Sequence, residues 1–321
     1  MAIRNPSKAA VALTIVLLPL VVLSALLTLT LPGQAIGQAC VTPPGDIIAW
    51  WAGDAGAEDS VDGNDGSMEN GAVVTSGQVG QAFQFDGVDD HVHIPNTGDN
   101  LDGLAQLSIE SWINPQSQGW PNPETGGFTS SIVSKYDSRK VDDVSYALTL
   151  ENGILRMNVY QATTVSTGVL ASSSISLTTW SHVAGVWRGE DDFSLYINGA
   201  EVPTTPQGQS SVSMADNDTP LNIGRIESFS GLDTDPGPAA FFDGLIDELS
   251  IYSRSLSASE IQAIYNAGSS GKCKVDEATP TSTATATATT TATTISGDLY
   301  LPAILKFSST PMPLSRATPL P

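Results

Sequence analysis

Between residues 40 and 273, apolar and polar residues alternate in short runs separated by clusters of Gly, Asn, Asp and Pro. A period of two predicts many antiparallel strands rather than helices. Phe193, Leu195 and Ile197 share one face of a run that ends in Asn198-Gly199, a pair suited to the left-handed backbone of a tight hairpin turn. Tyr146, Leu148 and Leu150 lead into Asn152-Gly153, and Leu155, Met157 and Val159 leave it, which predicts a second hairpin. One stretch has helical spacing. Ser257 and Glu260 are placed for a capping box, Ile261 and Ile264 supply an apolar stripe, and Gly268 can end the helix. The pattern therefore predicts an all-β fold, an antiparallel β-sandwich with one short C-terminal helix.

Two runs are apolar on both faces. In Trp180 to Trp187, Trp180, Ala184 and Val186 point one way while Val183 and Trp187 point the other. Leu107, Ile109 and Ile113 likewise oppose Trp112, which shares its face with Ser108 and Glu110. Such strands need cover on both sides. Either loops fold over the outer face and make a second small core, or Trp112 is a ligand platform in an open groove.

The segments flanking this region differ in composition. Arg4 and Lys8 precede an uncharged apolar run from Ala9 to Leu31, followed by small residues around Ala35 and Ala39. Residues 1–39 read as an export signal, and the run is also long enough for an uncleaved N-terminal membrane anchor. Either way the rest of the chain is expected outside the cytoplasm, secreted or at the cell surface. Cys40 and Cys273, the only cysteines, stand at the two edges of the strand-rich region, so outside the cytoplasm they are expected to form a disulfide. Residues 274–297 form a Thr/Ala-rich linker, in which 278–294 holds nothing large enough to build a core, and 298–321 a Pro-rich tail expected to be disordered.

Charge narrows the partners. Residues 40–273 hold 31 acidic against 8 basic residues, and the whole chain carries a formal charge of −21. Such a surface repels phosphate backbones, which excludes nucleic acid as a natural partner. Asp-rich loops suit a hard cation or a hydroxyl-rich ligand instead.

The segments Asp62-Gly63-Asn64-Asp65-Gly66, Phe85-Asp86-Gly87-Val88-Asp89-Asp90, Ile109-Glu110-Ser111-Trp112-Ile113-Asn114-Pro115, Trp180-Ser181-His182-Val183-Ala184, Tyr196-Ile197-Asn198-Gly199 and Gly244-Leu245-Ile246-Asp247-Glu248-Leu249-Ser250-Ile251-Tyr252 resemble the laminin-G-like jelly-roll family. That family belongs to the concanavalin A-like lectin and glucanase superfamily. With Trp50-Trp51 at the start and Ser257-Ala258-Ser259-Glu260-Ile261 at the end, the likeness covers nearly all of residues 40–273. It implies a jelly roll and an accessory module that binds a glycan or a surface protein, or that is purely structural. His91 departs from the Tyr common at that place, and its alternation opposite Val92 and Ile94 predicts a surface position.

Because the superfamily includes glycoside hydrolases, carboxylate spacing comes next. Retaining hydrolases need two carboxyl groups about 5–5.5 Å apart, and jelly-roll glucanases carry them on one strand in a Glu-x-Asp-x-(x)-Glu pattern. That run does not occur here, and Asp247 and Glu248 are adjacent, which in a regular strand sends them to opposite faces. No enzymatic activity is expected; the alternatives to a recognition or adhesion module are a ligand-free structural surface domain and, second, a divergent glycoside hydrolase. For a metal, Asp247 lies in register with Leu245, Leu249 and Ile251, so its carboxylate should point inward and require compensation by amides, an Arg or a structural calcium. Asp62, Asn64 and Asp86 are the further oxygen donors expected with Asp247. For a glycan, Trp120 lies in Gln118-Gly119-Trp120-Pro121-Asn122-Pro123, a run with no alternation to bury it. Trp120 and Asn122 are the expected ligand contacts, with Trp112 as the other aromatic candidate.

Overall fold

The computed structural model describes residues 39–274 apart from 97–99, 122–125, 138–142, 163–164, 209–211 and 227–238. The N-terminal segment 1–38, almost all of the 274–297 linker and the 298–321 tail lie outside the described residues. The alternation becomes two antiparallel sheets packed face to face. One runs in the order Ala200–Val202, Phe193–Ile197, Ser181–Trp187, Leu107–Pro115, Asp243–Tyr252, Gln81–Asp86 and Val73–Ser76, with Ile47–Trp51 also paired to Asp243–Tyr252. The other runs Thr204–Gly208, Val165–Ser174, Ile154–Ala162, Val144–Glu151, Phe128–Tyr136, Leu221–Ile223, His91–Ile94 and Ser67–Glu69, with the two-residue strand Trp120–Pro121 added beside Phe128–Tyr136. Phe83, Ile109, Ile113, Leu148, Met157 and Ile223 are wholly buried between the sheets.

Both hairpins turn where the sequence places them. Asn152-Gly153 and Asn198-Gly199 have positive φ at both residues, the backbone whose twist matches that of the flanking strands. The helix Ala258–Ala267 is capped by Ser257, whose side chain accepts from the Glu260 N–H while Glu260 answers to the Ser257 N–H. Ile261 and Ile264 are buried, and Gly268 closes the helix at φ 53°. Among the described residues, no helix is long and apolar enough to cross a membrane.

A second core covers the outer face of the first sheet, as the two-faced apolar runs require. Ala184, Val186, Tyr196 and Tyr252 pack there against Leu256, Ile261 and Ile264. Trp112 belongs to this layer, 5% exposed, with its ring 5.3 Å from His182 and 5.7 Å from Tyr265 of the helix. It is therefore not a platform in an open groove, because the helix lies over it.

The strand Asp243–Tyr252 breaks the simple alternation. Ile246 faces the main core opposite Ile113, and Leu249 and Ile251 face it too, so the phase slips by one residue between them. The slip is a β-bulge in which Glu248 has φ +57°. Asp247 is consequently the partner of Trp112 on the outer face, not an inward neighbour of Leu249 and Ile251 as a regular strand would have it. Glu248 and Glu110 meet on that same side at Lys272, whose ammonium lies 2.8 Å from Glu110 and 3.2 Å from Glu248. His182 Nε2 pairs with the other Glu110 oxygen at 3.0 Å, the Trp50 indole N–H donates to Glu248, and Lys272 lies over the Trp50 ring. Glu110, Glu248 and Lys272 are all within 3% of full burial.

Lys272 is held by its neighbour in sequence. Cys40 and Cys273 form a disulfide with Cα atoms 5.0 Å apart, and backbone bonds from Val41 to Gly271 and from Cys273 to Val41 zip the two chain segments together. Burial pushes the Glu110 carboxyl up, but Lys272 and His182 outweigh it and hold the group down at about 2. That contribution to stability is complete above the unfolded-state carboxylate pKa and is lost as pH falls through about 2. Removing one partner of a buried pair costs about 3–5 kcal/mol. Lys272→Met should therefore lower the melting temperature by on the order of 10 °C at pH 8. The loss should shrink at pH 4, where the stranded Glu110 can take up a proton; equal losses at both pH values in thermal scans would refute a charge-based role.

Candidate functional site

Two glycine-dependent turns bring separate chain segments to one edge of the sandwich. Gly87 has φ +74°, and a Cβ there would lie 2.6 Å from the Asp243 Cβ, so only glycine lets the 86–90 turn approach the last strand. Gly119 has φ +96°, and its Cβ would strike the Thr129 carbonyl at 2.3 Å. Between them stands Trp120, paired with Thr129 by the short strand and donating its indole N–H to the Gly87 carbonyl.

Trp120 is half-buried, not the largely exposed loop residue its sequence predicts. The two-residue pairing with Phe128–Thr129 turns one side of the ring onto Phe241, with centroids 6.2 Å apart at 61°. The other expected contact, Asn122, lies outside the described residues. A cavity of about 210 Å³ opens beside the ring, lined by Gly87, Ser117, Gly119, Trp120, Pro121 and Asp243. A second of about 400 Å³ lies next to it over the outer face of the first sheet, and Asp243 borders both. Its floor includes Thr75, Gln84, Asp86, Gln116 and Leu245. The larger by itself falls in the size range of small-molecule sites, roughly 300–1,000 Å³. Sequence reading missed Gln84, Gln116 and Asp243; the outward polar positions at the strand ends are visible in the alternation, but their convergence depends on the turns at Gly87 and Gly119.

Behind the Trp120–Phe241 pair, Arg225 lies over the Phe241 ring and bonds to His91 Nε2 at 3.2 Å. A guanidinium only donates, so Nε2 is the acceptor and the proton sits on Nδ1, which donates to the Asp89 carbonyl. Burial lowers the His91 pKa, in keeping with a neutral ring. At 4% exposure His91 is a buried member of this layer, contrary to the surface position that alternation predicts, because the 86–90 turn and Phe241 close over it.

The expected metal donors do not assemble into one cage. Asp62 accepts from Asn100, and the Asn64 amide donates to the Ile48 carbonyl and to Asp59. Asp86 caps the N–H groups of Val88 and Asp89 within its own turn. Asp247 accepts from the Val79 N–H at 2.9 Å, with the Gln78 backbone also bonded to it. The four residues thus take part in three separate hydrogen-bond sets. Asp86 instead converges with Asp89 and Asp90.

Asp247 is neutralised in a different way. Burial pushes its pKa up to about 8 against the pull of the Val79 amide, and the neighbouring Glu248 adds to the rise. Burial pushes Glu248 up as well, because the single Lys272 ammonium is shared with Glu110. Glu110, Asp247 and Glu248 are carboxyl groups on one side of one sheet, yet all lie at 0–1% exposure beneath the helix and the 77–80 loop, where no sugar reaches them.

The family described as the concanavalin A-like lectin/glucanases superfamily matches residues 86–262. No curated protein matches the chain. Among solved structures, domain 4 of AbnA, a GH43 extracellular arabinanase from Geobacillus stearothermophilus, solved in complex with arabinotriose, is 17% identical with a TM-score of 0.46, and the match covers 68% of this chain and 97% of that one. The binding domain of Paraclostridial Mosquitocidal Protein 1 is 15% identical with a TM-score of 0.50, covering 69% and 52%. The botulinum neurotoxin serotype D binding domain is 17% identical with a TM-score of 0.48, covering 69% and 50%. This chain spans about half the length of those two toxin binding domains. At these identities the likeness is one of fold.

The state of Asp247 gives a test. A folded-state pKa raised above the unfolded value of 3.8 means stability present at low pH and lost as pH rises through about 8. Asp247→Asn, which keeps the shape without the charge, should match the parent near pH 4 and exceed it by on the order of 5 °C at pH 9. Scans in EDTA and in millimolar Ca²⁺ should superimpose for the parent protein. A calcium-dependent rise in melting temperature that Asp247→Asn abolishes would instead establish an ionised, metal-bound carboxylate.

Proposed function

Since this chain belongs to the concanavalin A-like lectin/glucanases superfamily, we propose that residues 40–273 form a non-catalytic recognition module, secreted or displayed at the cell surface, that binds a glycan in the groove between Trp120 and Asp243. The observation that carries this reading is the composition of that groove. An aromatic ring that packs against Phe241 and borders a cavity is flanked by carboxylate, amide and hydroxyl groups. Sugar rings offer C–H faces to aromatics and hydroxyls to acceptors, so a partly apolar concavity with a few fixed polar groups is the matching surface. The disulfide at the base of the domain supports an oxidising destination, and the apolar N-terminal segment supports export or anchoring there. The burial of Glu110, Asp247 and Glu248 supports a module without hydrolytic chemistry.

One observation favours a second reading, a ligand-free structural surface domain. The Trp120 indole N–H is already taken by Gly87 and the ring is braced on Phe241, which is also how a loop plug is built. A glycan array probed with and without Ca²⁺, followed by calorimetry on the hits, separates the two. As a recognition residue, Trp120→Ala should weaken binding by roughly 1–3 kcal/mol while moving the melting temperature little. As a plug, it should cost several kcal/mol of stability, on the order of 3–5 for a buried Trp, with affinity intact or no ligand found. Reducing-sugar release from a β-glucan above a boiled control would overturn the non-catalytic part of the reading.

A further inference from the structure

We propose that the groove at Trp120 and Asp243 discriminates by charge: it admits neutral glycan chains and excludes those bearing acidic sugars. This inference rests on the glycan-binding reading above and goes on to the ligand's chemical class. Asp243 lines both cavities, so a chain that occupies both lies against that residue. Asp86 stands on the floor of the larger cavity. Among the described residues that line either one, none is Lys, Arg or His. The groups that remain to meet a ligand are carboxylate, hydroxyl and amide, as at Asp243, Ser117, Gln84 and Gln116. A carboxylate only accepts hydrogen bonds, so Asp243 matches a sugar hydroxyl, which donates, and opposes a uronate or sialate, which accepts and repels.

Arg225, behind the aromatic wall, does not change this balance. Arg225 is engaged with His91 Nε2 and the Phe241 face. Acidic residues on the 86–90 turn add to the field, since Asp86, Asp89 and Asp90 bring their oxygens within 4.8 Å of one another. A negatively charged ligand therefore meets charge of its own sign at Asp86 and again at Asp243, with the lower effective dielectric of a concave surface amplifying both.

Calorimetric titration of the full chain at 20 and 150 mM salt tests the proposal with uncharged hexasaccharides of xylose, arabinose, glucose and mannose, set against oligogalacturonate and sialyllactose. At least one neutral chain should bind, and both acidic probes should bind at least tenfold more weakly than it. Asp243→Asn keeps the side chain's shape beside Gly87 and should narrow that gap, with an unchanged melting temperature checking the fold. Gln116→Ala should weaken binding without altering the gap. Acidic probes binding as tightly as neutral ones, or a gap unchanged in Asp243→Asn, would overturn the charge selection while leaving the glycan reading in place. If no saccharide binds at either salt concentration, the glycan reading itself fails and this inference with it.

Discussion

The ammonium of Lys272, set between Glu110 and Glu248, is the interaction on which the outer layer of the domain depends. Two carboxyl groups on neighbouring strands of one sheet lie at no more than 1% exposure, and without a cation between them their burial would be prohibitive. Lys272 lies more than 160 residues beyond Glu110 in sequence and follows the helix, so it reaches them only when the chain has closed on itself. The adjacent Cys40–Cys273 bond fixes that closure, and in the chain-entropy model a loop of this length contributes up to roughly 4–5 kcal/mol. Ion pair and disulfide are thus two halves of one clasp. The disulfide restrains the segment that carries the ammonium, and the ammonium makes that segment's position matter to the core.

The same strand carries this constraint to the groove. Asp243–Tyr252 holds Asp243 at its first residue, Asp247 under the 77–80 loop and Glu248 on Lys272. Its bulge lets consecutive acidic residues share one side of the sheet and still leaves Ile246, Leu249 and Ile251 in the main core. Buried at most positions and flanked by strands over most of its length, it forms a rigid base for Asp243. Trp120, by contrast, is held by a two-residue pairing, one hydrogen bond and a ring contact. The groove therefore has one wall fixed by the sheet and one by local contacts.

Features encoded by local chemistry were legible in the sequence. The Asn-Gly hairpins, the Ser257–Glu260 cap and the pairing of the two cysteines follow from rules that involve a few neighbouring residues or a single oxidising compartment. The two-faced apolar character of Leu107–Pro115 also foretold an outer core, though not that the helix would close it over Trp112. What was not legible depended on register. The bulge at Glu248 shifts every later residue by one, so a strict alternation places Asp247 on the wrong face although each residue type in the strand is unremarkable for a strand. His91 and Trp120 were misplaced for a related reason: their burial comes from Phe241 and Arg225, more than 100 residues away, which no local pattern registers. The groove was half legible, since Trp120 stood out by composition while Asp243, Gln84 and Gln116 look like ordinary outward-facing polar residues until the turns at Gly87 and Gly119 bring them together.

The distribution of cations connects the interior to the character of the surface. Of the few basic residues between Cys40 and Cys273, Lys135 and Lys272 are buried, the first on Asp102 at 3.1 Å and the second on its two glutamates. Arg156, Arg188 and Arg254 are paired with Glu151, Asp192 and Glu260, and Arg225 is turned onto His91 and Phe241. Placing lysines inside lets the fold bury carboxylates on its outer sheet and at the Lys135 end alike. Among the described residues it also leaves the outward field largely to the Asp and Glu of the loops. The internal requirement for counterions and the acidic exterior on which the proposed preference for uncharged glycans rests are in this respect a single consequence of where the described residues place their positive charges.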